Sequence, residues 1–111
     1  MELKLPVYNK REIIKTYTNN TYNLMYGTVE DILQIVDIDK LQTPTDKEIS
    51  MLVIKAVPKS MDTIKELLKD IFEGITDDEL RNTQVKDIVK VIIDLIKYSI
   101  IEISKGVNEK N

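Results

Sequence analysis

Histidine and cysteine are both missing from this chain of 111 residues. Without imidazole the usual general base near neutral pH and the commonest metal ligand are gone. Without thiols neither a disulfide framework nor a thiolate metal site can form. A small domain that dispenses with such staples belongs to a reducing compartment, so a cytosolic setting is expected. Glycine is scarce, and Gly27, Gly74 and Gly106 stand too far apart to cradle a phosphate. Ser50, Ser60, Ser99 and Ser104 have no G-x-S-x-G setting and read as helix or cap residues. No run approaches about 18 apolar residues without a charge, which argues against a spanning helix. The start, Met1-Glu2-Leu3-Lys4-Leu5-Pro6, lacks the uncharged apolar core of a signal peptide. An excess of one charge is lacking too: 16 Lys and Arg against 19 Asp and Glu leave a net charge of -3. That balance supplies no drive toward a phosphate backbone or an anionic lipid surface. The expectation is a chain with no catalytic residue, no cofactor and no metal, and with neither nucleic acid nor membrane as partner.

What is present describes one globular domain over residues 1–111. Apolar residues make up 42% and charged residues 32%, with both signs mixed along the chain. Leu3, Leu5 and Val7 alternate with Glu2, Lys4 and Pro6, and a second alternating, β-branched run covers Glu12 to Thr18. These two runs predict a β-hairpin turning at Tyr8-Asn9-Lys10-Arg11, and Pro6, which has no backbone donor, puts the first strand at an edge. Asn19-Asn20-Thr21 suggests a turn, and Tyr22 to Tyr26 reads as a third short strand or as coil leading into a helix. Asn19-Asn20-Thr21 also matches a glycosylation acceptor, a pattern common by chance that requires a secretory route.

From Gly27 onward the pattern is helical. Thr28 with Asp31, Thr45 with Glu48, and Thr76 with Glu79 each place a hydroxyl three residues before a carboxylate, the spacing of a capping box. The first box predicts a short helix over Glu30 to Asp37 with Val29, Ile32, Leu33 and Val36 inward. The second predicts a helix over Asp46 to Val57, ended by Pro58. Met61, Ile64, Leu67, Leu68, Ile71 and Phe72 form the narrow apolar face of a third helix with a charged back, suited to the surface of a bundle. Gly74 offers a left-handed C-cap, and Thr76 to Leu80 starts a brief helical turn. The polar segment from Gly106 to Asn111 is expected to fray.

The last helix, about Gln84 to Ser104, is the most informative segment. At about 100° per residue, its apolar positions from Val85 to Ile103 cover an arc of roughly 200°. Lys86, Asp87, Lys90, Asp94 and Lys97 crowd the remainder. A surface helix needs a stripe only somewhat over about 100° wide. Two readings of the surplus stand: this is the central helix, wrapped by the hairpin and the other helices, or part of the arc meets another chain. On the second reading the candidate protein-binding residues are Ile93, Tyr98, Ile100 and Ile101.

Two motifs fail on inspection. Asp37, Asp39 and Glu48 match the first, third and last positions of a calcium loop, but Leu41, Gln42 and Pro44 supply neither ligand oxygen nor the sharp bend. Thr76 to Lys97 can be drawn as a helix-turn-helix, yet the polar face of its second helix alternates lysine with carboxylate, unlike a groove-reading helix.

Tyr26-Gly27-Thr28-Val29-Glu30-Asp31-Ile32-Leu33, the run from Asp70 to Thr83 and the following Val85-Lys86-Asp87-Ile88-Val89 resemble the small tail assembly chaperones of long-tailed phages and prophages of Gram-positive bacteria. The resemblance runs over most of the chain; family members often carry Pro where this chain has Glu73. It implies a non-catalytic protein that binds the tape-measure protein, keeps it soluble and yields it to the tail-tube protein. It further implies self-association, residence in the cytoplasm of the bacterial host and absence from the mature virion. The alternatives are a structural head-tail or tail-completion protein and a small helix-turn-helix regulator. The expected fold is α+β and mainly α: an N-terminal hairpin (1–26 with its lead-in) packed on four to five helices (27–105) around a long C-terminal one.

Overall fold

The computed structural model describes residues 2–20, 23–36 and 45–108, with side chains through residue 102. The fold is the expected one. A two-stranded antiparallel hairpin, β1 (Leu3–Asn9) and β2 (Glu12–Asn19), precedes α1 (Tyr26–Ile35), α2 (Asp46–Ala56), α3 (Met61–Ile71), α4 (Asp77–Arg81) and α5 (Val85–Asn108). A 3-10 turn, Val57–Lys59, joins α2 to α3 and carries Pro58 in its first positions. There the missing N–H costs no helical bond.

The hairpin follows from its period of two. Leu3, Leu5 and Val7 are buried on one face, and opposite them β2 places Asn19, Tyr17 and Lys15. The register slips between Val7 and Tyr8, so Ile14 is the extra residue of a bulge and Ile13 faces Tyr8. Such a bulge blunts an edge strand. Lys10 turns the chain with φ at 59°. Residues 23–25 are coil, so no third strand forms among the described residues.

Two of the three threonine starts hold. Thr45 Oγ1 accepts from the Glu48 N–H at 3.2 Å. Thr76 makes the full reciprocal box: its hydroxyl accepts from the Glu79 N–H at 3.1 Å while its own N–H donates to Glu79 Oε1 at 3.0 Å. Thr28 does not cap. The first helix begins a turn earlier, with Met25 at the cap and its carbonyl accepting from the Thr28 and Val29 N–H groups. Thr28 instead lies buried with Ile32 and Ile35 at helical spacing. Of the expected inward residues Ile32 and Val36 are buried, Val29 is half-buried and Leu33, one step around from Ile32, is 50% exposed. Packing against α3 and α5 selects the phase that the local pattern left ambiguous.

α3 buries Ile64, Leu67, Leu68 and Ile71 as its periodicity requires, but Met61 is exposed because it stands at the helix start, where nothing lies over it except an open groove. Gly74 holds φ at 90° two residues past the Phe72 C-cap, a conformation that costs a side chain-bearing residue energy. α5 continues to Asn108, beyond the expected end at Ser104; at 24 residues it is about 36 Å long.

α5 is the axis. Val91, Ile92, Leu95, Ile96 and Ser99 are buried along it, and β1, α2 and α1 pack around them. Ser99 satisfies its hydroxyl on the Leu95 carbonyl at 2.7 Å, so a polar side chain fits the core at little cost. α2 runs antiparallel to the first half of α5: Lys97 reaches Asp46 at 2.9 Å, while Val57 and Ile88 border one groove at the other end. Replacing fully buried Ile92 by alanine is therefore expected to lower unfolding free energy by about 2–5 kcal/mol. Val85→Ala, at a position 64% exposed, should stay within about 0.5 kcal/mol. Urea denaturation of both variants beside the parent checks this pair.

Candidate protein-binding surfaces

The four residues expected to bind a partner do not form one patch. Ile93 and Ile100, seven apart, lie on one margin of the buried stripe of α5 and pack partly against the core. Tyr98 and Ile101, three apart, lie around the other side. Tyr98 is half-buried, and Ile101 is 50% exposed among Lys90, Asp94 and Lys97 on the polar side of the helix. Lys90 and Asp94, three and two turns earlier, pair at 3.0 Å, so Ile101 interrupts a charged surface with an apolar side chain. Asp46 meets Lys97, so Tyr98 and Ile101 lie along α5 beyond the start of α2, while Ser99 between them is buried. Most of the wide apolar arc is thus absorbed within the subunit: among the described residues Val85 is its exposed member, and Ile101 is exposed on the opposite, polar side.

The opposite end of α5 carries an open groove of about 460 Å³ that the periodicity did not reveal. Met61, Ile64 and Leu68 of α3 form one wall, Val85 and Ile88 of α5 the other, and Leu80 of α4 closes the end. Met61 and Val85 are each the first residue of a helix and more than 60% exposed. Charged residues rim the groove. Lys65 and Lys69 both hold Asp77, the former at 3.0 Å, and keep its carboxyl below the ordinary range, Lys69 foremost. Arg81 has no such partner among the described residues.

Glu79 fixes the hairpin beside this groove. Its Oε1 accepts from the Tyr17 hydroxyl at 2.7 Å as well as from Thr76, and Lys15 stands 3.6 Å from Oε2. Asn19 donates to the Ile71 carbonyl at 2.9 Å, and the Tyr8 N–H to the Asn82 carbonyl at 2.8 Å. One carboxylate therefore caps α4 and clasps β2. The Tyr17 hydroxyl, followed by the Thr76 N–H, holds the Glu79 carboxyl below its ordinary value.

Among the described residues no group of three or more acidic, histidine or cysteine side chains is arranged to hold a metal ion, and no helix is long and apolar enough to cross a membrane. The calcium-like spacing from Asp37 falls largely outside the described residues. Comparison with family models, with curated proteins and with solved structures finds no match.

The two depressed carboxyls set a direction for pH dependence. Each contributes stability that is complete above its unfolded value and is lost as pH falls through the lower, folded value. Acidification from neutral to about pH 3 is expected to lower the melting temperature, and less so in Glu79→Gln and in Asp77→Asn, which cannot titrate. Thermal melts followed by circular dichroism across that range test it; equal acid sensitivity in parent and variants would contradict the clasp.

Proposed function

We propose that this chain is a non-catalytic binding protein, a phage tail assembly chaperone that holds the tape-measure protein in solution until tail-tube subunits take its place. The observation that carries the reading is the apolar pair Tyr98 and Ile101 on the outward side of α5 beyond the start of α2. The sequence resemblance supplies the partner. A tape-measure protein is long and helical, so its apolar stripes need cover before assembly, and a helix offering isolated apolar side chains amid charge suits reversible contact. Partners that must later be displaced are better served by a small contact than by a large apolar interface. The absence of histidine and cysteine from the sequence agrees with a role that needs no general base or nucleophile of the common kinds.

The test is co-expression with a phage tape-measure protein from a Gram-positive host, scored by how much of that protein stays in the supernatant. Tyr98→Asp together with Ile101→Asp should leave the fold intact, since Ile101 is half exposed and Tyr98 is not in the core, and should abolish solubilisation. Retained solubilisation by the double variant removes Tyr98 and Ile101 from the contact. Failure of the parent chain to solubilise the tape-measure protein removes the chaperone reading itself. In purified virions mass spectrometry should find the tape-measure protein and not this chain; its presence would make it a structural component.

A further inference from the structure

We propose that Arg81 is a strap that folds across the groove between α3 and α5 and closes it by pairing with Asp62. Both residues line the groove, Asp62 from the first turn of α3 and Arg81 from the end of α4. Both are exposed, and neither has an ion-pair partner among the described residues. The other carboxylate of the lining, Asp77, is already held by Lys65 and Lys69. The order of charges brings the open pair together. α4 starts at Asp77 against Lys65 and Lys69, and one turn later Arg81 lines a groove whose α3 wall reaches back from Leu68 through Lys65 to Asp62 and Met61. The signs of Asp62, Lys65 and Lys69 along α3 are thus met in reverse by Asp77 and Arg81 of α4, with the Asp77 pairing made and the Asp62 pairing open.

Closure is a movement of one side chain, because Glu79, clasped by Tyr17 and by the capping box, fixes the backbone of α4. The apolar surface to be covered is that of Met61 and Val85, 62% and 64% exposed, and of half-buried Leu80 between the walls. An arginine stem laid over such surface covers it while the guanidinium stays in water, here at the Asp62 carboxylate. Against this stand the lost rotamer freedom of a long side chain and the weakness of an exposed ion pair. Open and closed forms are therefore close in energy, and the structure shows the open one. An apolar group that enters the groove has to displace the strap, so the ion pair sets the access of the groove. This inference concerns the chain by itself and stands apart from the chaperone reading, which is tested on Tyr98 and Ile101 with a different protein.

The chain has no cysteine, so Val85→Cys puts a single thiol on the groove wall, and its rate of modification by N-ethylmaleimide, an uncharged reagent, reads access. In that background Arg81→Gln and Asp62→Asn each change an exposed side chain and should leave the circular dichroism unchanged. Each is expected to speed modification by about two- to five-fold, the range of a surface ion pair. Local electrostatics alone predicts otherwise: losing the cation lowers the thiolate fraction and slows the reaction, while losing the anion speeds it. Reversing the pair, with Asp62→Arg and Arg81→Asp in one chain, should return the rate to that of Val85→Cys alone. Raising the salt from about 20 mM to about 500 mM should speed the Val85→Cys chain and much less its Arg81→Gln variant, because screening weakens the same pair. Unchanged rates, rates that move in opposite directions in the two single variants, a reversed pair that stays fast, or equal salt responses would each overturn the proposal.

Discussion

Burial of the inward stripe of α5 is the constraint on which the rest of this structure depends. Ile92, Leu95 and Ile96 are almost wholly removed from water, and every other element has a share in covering them or in holding a covering element in place. A single helix cannot bury its own stripe, so the hairpin, α1 and α2 are recruited around it. The hairpin alone would be marginal, since two strands in water rarely persist without a packed face. Its buried row, Leu3, Leu5 and Val7, comes entirely from β1, while β2 contributes polar and aromatic side chains at the border.

That asymmetry gives Glu79 its importance. β2 buries no aliphatic side chain; the partly buried ring of Tyr17 packs against the core, and the rest of its attachment to the helices is a set of polar contacts from Tyr17, Lys15 and Asn19. Glu79 is already positioned by the capping box at the start of α4, so the hydroxyl of Tyr17 meets a carboxylate whose orientation has been settled locally. Preorganised acceptors lose less freedom on pairing, and charge-assisted hydrogen bonds are stronger than neutral ones. A helix of only five residues thereby becomes the anchor of the hairpin and the end wall of the neighbouring groove.

The exposed apolar residues are scattered over β2 (Ile13, Ile14), α1 with its cap (Met25, Tyr26, Leu33), α2 (Met51, Ile54), the start of α3 (Met61) and α5 (Val85, Ile101). Such a distribution leaves a subunit with several small contact surfaces and no single large one. Small contacts make individually weak and reversible associations.

Much of the architecture was legible in one dimension. Alternation in β1, steps of three and four in α3, and the box formed by Thr76 and Glu79 each involve residues close in sequence, so the forces that shape them act before any tertiary contact exists. The false start at Thr28 shows where this ends: its spacing to Asp31 satisfies the capping pattern, but the side chain is worth more in the core beside Ile32 than at a solvent-exposed helix end. The groove and the outward turn of Leu33 were hidden for the same reason. Whether Met61, Val85 or Leu33 is covered depends on which other helix lies across it, and that is set by packing partners far away along the chain. Local periodicity thus determined the elements and the identity of the central helix; the choice of which apolar side chains remain at the surface belongs to the tertiary structure, because exposure is a property of neighbours and not of the residue.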